Sequence, residues 1–558
     1  MAPPPAPLAL RPPRNRPPMA KSTIVAVILA LPLALPILAI IALAFTADAS
    51  AWPKLLSGVL PAMTLETVLY CAGVSAGTLV VGTSLAFLIT MFRFPGRNVL
   101  KWLAILPLAV PGYITAFAYV DTFSYAGSFQ VMLRGVFGWN QPGDYHFPEI
   151  RSLGGAIFVM TAALYPYVYM SARAAFLKQS LSQLDAARTL GRNPWRAFVE
   201  ITLPQTRPAL AVGVSLVVME CLNDIGAVGF FGVNTLTYGI YTLWLGQGNL
   251  GAAAQLALVL LTAVIALILF EQMMRQRDEL SRAAKGSAML ERRKLRGWQA
   301  FAAVLATALP VFVGFALPVL LLSGYAHHHW ASGLSANFLQ AASNSVVLAL
   351  LACFGTITLA LVFGYANRRS QSPVLRSATG FAGLGYALPG TVLGIGVLVP
   401  LAHLDRLVNA ISVALFNWQP GLILSGSIAA LVFAYVARFL VIALGSVEAG
   451  LLKVSPSLDE AARSLGRTPF TAFRDIHLPL LRPSLLTAAL LVFVDAMKEL
   501  PATLMLRPFD FDTLATHVFS LASLGQIEDS AVPALTIIAV GLVPVAILTR
   551  NVRDPGRV

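Results

Sequence analysis

Five ionisable side chains stand inside stretches otherwise apolar enough to be membrane helices: Glu220 and Asp224 in one, and Asp495, Lys498 and Glu499 in another. Charge is costly in hydrocarbon, so such residues face a protein interior or a watery path and mark function by default. Glu220 and Asp224 are four apart, as are Asp495 and Glu499, a spacing that places each pair on one helical face. Paired acids on one face could line a path for a cation or its complex. Two other readings stay open: a structural network in which Lys498 neutralises a carboxylate between helices, or an outer mouth where a partner docks. His327, His328 and His329 suggest a metal, but adjacent residues on a helix point in different directions, and an external loop is expected there. The remaining histidines (His146, His403, His477 and His517) show no ligand spacing, and no catalytic triad is found. A metal site, a cofactor and an enzymatic activity are therefore not expected of this chain.

The elements that must position these charges are membrane spans. Of 558 residues, 57% are hydrophobic and 11% charged, with a mean hydropathy of +0.75. A soluble domain carries about 25% charged residues, and this chain has too few to cover a soluble surface. The same numbers exclude disorder. Cys71, Cys221 and Cys353 all lie in apolar runs, where a thiol behaves as a small hydrophobe, so a disulfide scaffold is excluded too. The net charge of +14 falls in short runs between apolar spans rather than on a basic face with aromatics, which argues against nucleic acid.

A span needs about 20 apolar residues. Candidates fall near 24–45, 64–91, 102–122, 153–175, 208–229 and 251–271, and again near 301–323, 343–366, 378–401, 422–443, 484–506 and 531–549. The expected class is an all-α polytopic membrane protein of about 12 transmembrane helices. Pro111-Gly112 and Pro389-Gly390 interrupt two of them, which is tolerated where protein neighbours satisfy the freed backbone. With the N-terminus in the cytoplasm, all of the 39 Lys and Arg residues except Lys54, Arg134, Arg151, Arg406, Lys498 and Arg507 gather in seven inside segments: 1–21, 92–102, 173–207, 272–298, 367–377, 438–482 and 549–558. The positive-inside rule favours that orientation, with both termini cytoplasmic. The run from Ile24 to Phe45 is longer than the apolar core of a secretory signal, so a retained first helix is expected despite the cleavage-like Ala47-Asp48-Ala49.

The chain repeats itself. Residues 182–208, SQLDAARTLGRNPWRAFVEITLPQTRP, match 457–483, SLDEAARSLGRTPFTAFRDIHLPLLRP, at 15 of 27 positions with an offset of 275. Val110-Pro111-Gly112 and Leu388-Pro389-Gly390, like Thr235-Leu236 and Thr513-Leu514, repeat at 278. Such self-similarity marks duplication, here of two parallel six-helix units. The expected division is a disordered Pro/Arg-rich tail (1–21), a first repeat (22–271, core from about 64), a basic cytoplasmic linker (272–300), a second repeat (301–549, core from about 340) and a cytoplasmic tail (550–558). In each copy Ser182 with Asp185, or Ser457 with Glu460, gives a helix-start pattern. Gly191 and Gly466 stand where a left-handed glycine ends a helix. Asn193-Pro194 and Thr468-Pro469 start a second one, expected to end at Leu203-Pro204 and Leu478-Pro479. Taken singly, such a hairpin could merely stabilise the bundle. Two of equal design at the same topological position predict a partner with two equal sites.

The segments D-A-A-x-x-L-G…I-x-L-P and E-A-A-x-x-L-G…I-x-L-P resemble the EAA loop of binding-protein-dependent ABC importer permeases, over both halves of the chain. The first copy departs from the motif in carrying Asp185 for Glu. The resemblance implies the type I importer permease fold and a bacterial inner-membrane location. It places coupling to two cytoplasmic ATP-binding subunits on Asp185, Ala186, Ala187 and Gly191, and on Glu460, Ala461, Ala462 and Gly466. It also implies a periplasmic or extracellular substrate-binding protein. The chain has no Walker A loop of its own: among eight lysines only Lys21 precedes Ser or Thr, and Ala20 precedes it. Fused two-half chains resemble ferric-iron permeases, with thiamine, aminoethylphosphonate and polyamine importers sharing the architecture. The stretches DIGAVGFFGVNTLTYGIYTLW (224–244) and DAMKELPATLMLRPFDFDTLATHVF (495–519) are most similar to the iron branch. A proton-coupled secondary transporter is the alternative class, and a polytopic membrane enzyme a weaker one.

Overall fold

The computed structural model describes residues 21–46, 51–178, 200, 202–281, 293–370 and 372–551. In the first half we label the helices α1 (Lys21–Thr46), α2 (Val59–Met91), α3 (Gly112–Phe123), α4 (Ser128–Phe137), α5 (Leu153–Lys178), α6 (Leu203–Asn223), α7 (Gly226–Phe231) and α8 (Leu250–Ser281). In the second they are α9 (Trp298–His328), α10 (Ala336–Arg369), α11 (Gly390–Phe416), α12 (Ile428–Leu451), α13 (Pro456–Ser464), α14 (Phe470–Met497), α15 (Pro501–Leu506) and α16 (Ile527–Asn551).

Among the described residues, 10 helices are long and apolar enough to cross a membrane, or 11 if the pair Arg97–Ala109 and Gly112–Phe137, bent by 88°, is one span. That pair is the expected span 102–122. Its corner is Pro111, held at φ −56° and ψ 141° outside the helical region. Pro389 does the same at φ −53° and ψ 141°, so the expected span 378–401 is two helices, Pro373–Gly383 and α11. The expected span 208–229 is α6 followed by the short α7, and 484–506 is the end of α14 followed by α15. One side assignment needs correcting. Arg438, expected at the cytoplasmic edge, lies in the middle of α12 and is 7% exposed.

Both halves build the same core. Small residues let α2 lie directly on α5: a Cβ on Gly82 would sit 2.8 Å from the Tyr169 nitrogen, the close approach that membrane helices use for packing. The repeat extends to individual bonds. The Leu236 amide donates to Thr67 Oγ1 at 2.9 Å, and 278 residues later the Leu514 amide donates to Ser345 Oγ at 2.7 Å.

The first helix of each half crosses to the other. α1 packs on α11 and on Pro373–Gly383, burying Ala26, Ala30, Leu33 and Ile40. α9 crosses the first half in turn. Its π-helical stretch Phe312–Ala316 loosens the backbone, and the Tyr119 hydroxyl donates to the Val313 carbonyl at 2.6 Å. The Tyr325 hydroxyl donates to Asp121 at 2.5 Å. The halves are thereby interlocked around a shared centre.

Candidate functional site

That centre is where two helices break. α6 stops at Asn223, and Asp224 turns extended (ψ 127°) before α7. α14 stops at Met497, and α15 starts with Pro501 at its first position. A helix start leaves amides without intrahelical acceptors, and the acids supply them. Asp224 Oδ1 accepts from the Ala227 amide at 2.9 Å, and Glu499 Oε1 from the Ala502 amide at 3.2 Å. The expectation that each acid pair shares one helical face is therefore corrected. Glu220 and Asp495 lie on the long helices, whereas Asp224 and Glu499 lie past their ends and cap the short ones.

Glu220, Asp224, Asp495, Lys498 and Glu499 nevertheless meet, lining one cavity of about 170 Å³ between the halves with Tyr113, Tyr167, Asn223, Tyr386 and Arg438. Lys498 Nζ is 2.8 Å from Asp495 Oδ1, and Arg438 Nε is 3.1 Å from Glu499 Oε2. Arg438 also donates to the Leu388 carbonyl at 2.8 Å. On the first-half side, the Tyr167 hydroxyl donates to Glu220 at 3.1 Å and the Tyr70 hydroxyl to Asp224 at 3.3 Å. The Gly390 amide, at the start of α11, donates to Asn223 Oδ1 at 2.7 Å and so joins the two halves across the cavity. Sequence reasoning missed Arg438. The signal was an arginine with apolar neighbours on both sides (AALVFAYVARFLVIALG), assigned to a membrane edge because edges are where arginines concentrate. Among the described residues, no three or more His, Cys, Asp or Glu side chains are grouped to hold a metal ion. His327 and His328 end α9 on the surface, and His329 pairs with Glu528 at 2.9 Å.

The second feature is the hairpin of the second half. The cap of α13 is Ser455, which accepts from the Ser457 amide at 3.3 Å, rather than the expected Ser457. Pro456 accounts for the shift: with no N–H and a fixed φ, it is pre-organised for the first helical position. Gly466 has φ +70°. Its amide donates to the Arg463 carbonyl at 3.0 Å, and the Arg467 amide donates to Ala462 at 2.9 Å, the paired bonds of a Schellman ending. Thr468 then caps the next helix, accepting from the Thr471 amide at 3.3 Å. That helix does not end at Leu478-Pro479 but continues as α14. A π-helical stretch, Phe473–His477, precedes Pro479, and such a bulge lets a helix absorb a missing donor. Glu460 and Ala461 face outward and Ala462 inward, beside exposed Leu465 and Phe470. Asp185, Ala186, Ala187 and Gly191 of the first copy lie outside the described residues.

An interlocked helical duplex with broken helices around a charged centre, and a surface hairpin leading into one of them, defines a membrane transport permease built from two fused halves. The family described as binding-protein-dependent transport system inner membrane component matches residues 78–277 and 356–552. The chain belongs to that family, and it is a multi-pass membrane transport subunit, not itself an enzyme. It is 26% identical to the Fe(3+)-transport system permease protein FbpB 2 of Haemophilus influenzae, over 95% of this chain and 97% of that protein. It is 27% identical to the 2-aminoethylphosphonate transport system permease protein PhnU of Salmonella typhimurium, over 35% of this chain and 68% of that protein. The sulfate transport system permease protein CysT of Escherichia coli is also 27% identical, over 34% of this chain and 67% of that protein.

Proposed function

We propose that this chain is the fused two-half permease of an ATP-driven importer of Fe(III) in a bacterial inner membrane, with both termini cytoplasmic. The observation that carries the substrate is the similarity to the ferric-iron permease, which covers 95% of this chain and 97% of that protein, whereas the aminoethylphosphonate and sulfate relatives match 35% and 34% of this chain. The cavity agrees in sign. It gathers four carboxylates and two cations, so with all six ionised it favours a cation. Its acids already have protein partners, which suits passage better than tight coordination. The EAA hairpins around Asp185–Gly191 and Glu460–Gly466 dock two ATP-binding subunits, and a binding protein delivers the ion from the opposite face.

The test is reconstitution in liposomes with the ATPase and candidate binding proteins. Hydrolysis should rise with a ferric-loaded binding protein, and uptake should persist when the proton gradient is collapsed. Stimulation by an aminoethylphosphonate- or sulfate-loaded protein instead would reassign the substrate while leaving the architecture intact. Mass measurement of the solubilised complex should give one permease chain with two ATPase subunits. Two permease chains would overturn the assembly.

A further inference from the structure

The second hairpin is tied to the membrane bundle by a polar cluster that neither the EAA pattern nor the cavity uses. Asp459, in the first turn of α13, accepts from Arg368 Nε at 3.0 Å and Nη2 at 2.7 Å. Its other oxygen lies 2.7 Å from His477 Nε2. Arg368, in the last turn of α10, also donates to the Leu451 carbonyl at 2.6 Å and the Val454 carbonyl at 3.0 Å. These carbonyls belong to the end of α12 and the connector into α13, where a helix terminus leaves acceptors unsatisfied. One guanidinium thus holds the ends of α10 and α12 and the start of the hairpin in a single geometry, which a rigid fork of donors does better than a point charge.

His477 completes the linkage. It has no exposure, sits in the π-helical stretch at the base of α14, and meets the Tyr365 ring of α10 edge-on at 5.5 Å. Its Nδ1 has no partner among the described residues, so Asp459 is the ring's polar anchor. From His477 the same helix runs to Asp495 and then to the break at Lys498 and Glu499 in the cavity. A continuous path of helix, buried ring and ion pair, with Nε and Nη2 of Arg368 both donating to Asp459 Oδ2 and His477 at Oδ1, therefore joins the docking hairpin to the charged centre. Charge-assisted hydrogen bonds of this kind are shorter and stronger than neutral ones.

The first half carries different residue types at the matching positions. At the repeat offsets, Arg368 corresponds to Thr90, Asp459 to Leu184 and His477 to Thr202. We propose that Arg368, Asp459 and His477 are positioning residues that couple the second docking hairpin to α14. The two ATPase contacts are then mechanically unequal, and the stroke reaches the cavity chiefly through the second. This rests on the reading of the chain as an ATP-driven permease.

The test uses the full complex in liposomes with its binding protein, and compares basal with binding-protein-stimulated ATP hydrolysis. Arg368→Met and Asp459→Asn should retain membrane abundance, bound ATPase subunits and basal hydrolysis. Both should lose about tenfold of the stimulated rate and of uptake, within the usual span of coupling between sites. Arg368→Lys should recover part of the loss, and the double variant should lose less than the product of the two single losses, because both remove the Arg368–Asp459 contact. Asp459 lies outside the membrane spans, so its variant stays informative even if Arg368→Met inserts poorly. Wild-type stimulation in both variants would overturn the proposal, as would an equal loss from Thr90→Val. A wild-type chain that binds no ATPase subunit would instead overturn the functional reading on which it rests.

Discussion

The two halves break the same helix at the same place and then furnish the break differently. In both, an acid past the helix end accepts from the amide three residues on, Asp224 from Ala227 and Glu499 from Ala502. In the second half the acids are also neutralised, Glu499 by Arg438 and Asp495 by Lys498. In the first half the position of Lys498 is Asn223 and that of Arg438 is Ala163, and the acids lean on tyrosine hydroxyls. Among the described residues, no cation lies within ion-pair distance of Glu220 or Asp224. Backbone geometry has thus survived duplication while charge compensation sits in one half. Both cations of the centre come from the second half, and the first half contributes acids held by hydroxyl donors.

This contrast should break first at Arg438. Arg438→Met leaves Glu499, 6% exposed, as a buried acid without its partner, a loss of about 3–5 kcal/mol. Asp224→Asn in the first half removes charge but keeps an acceptor for Ala227, and should cost about 1 kcal/mol. Thermal unfolding of the solubilised protein measures both. Recovery in Arg438→Met/Glu499→Gln would show that pairing is the cause, and equal losses in the two halves would erase the asymmetry.

Transport should show the opposite ranking. Glu220→Gln with Asp224→Asn should lower uptake by about tenfold or more, equivalent to about 1.4 kcal/mol of barrier, while ATPase subunits stay bound. Unchanged uptake in a well-folded double variant would reduce these acids to helix caps.

Much of this was legible in the sequence, for physical reasons that also mark where legibility ended. Charges in apolar runs are conspicuous because hydrocarbon tolerates so few, and all five expected ones line a single shared cavity. The breaks beside Asp224 and Lys498 were not visible, because a spacing of four reads as a continuous helix until a neighbouring short helix supplies amides to cap. Arg438 was hidden by the rule that usually locates arginines. The caps of the hairpin obeyed local rules closely enough that Gly466 emerged in its left-handed conformation, yet Ser455 and Ser457 both satisfy a capping pattern and only Pro456 decides between them. Pro479 reads as a helix end until a π-helical turn carries the chain past it.

A smaller effect should follow at Gly466. No atom would lie within 4 Å of an added Cβ there, and its φ is +70°, so the penalty of Gly466→Val is conformational alone. A left-handed residue with a side chain costs about 1–2 kcal/mol. The membrane spans should insert normally, while stimulated hydrolysis falls. Gly191→Val probes the first hairpin in the same assay. If the latch at Asp459 makes the second hairpin dominant, the Gly466 variant should be the more damaging. A variant at either glycine with full ATP-driven uptake would show that its hairpin is only a structural cap.

The smallest effect is a dependence on pH confined to the second hairpin. Partial burial acts to raise the Asp459 carboxyl, but the Arg368 guanidinium and then His477 outweigh it and hold the group below its ordinary value. A depressed folded pKa contributes stability that is full above the unfolded value, about 3.9 for Asp, and is lost as pH falls through the folded value. The hairpin should therefore stay ordered down to about pH 4 and loosen below it, as hydrogen exchange across residues 455–470 would report. Asp459→Asn should abolish that acid limb, because no carboxylate remains to be protonated. The first hairpin carries Leu184 at the matching position, so it should lack the limb that Asp459 supplies. An acid limb that survives in Asp459→Asn would assign it to the exposed Asp475, which Arg474 also holds low, and would remove this difference between the halves.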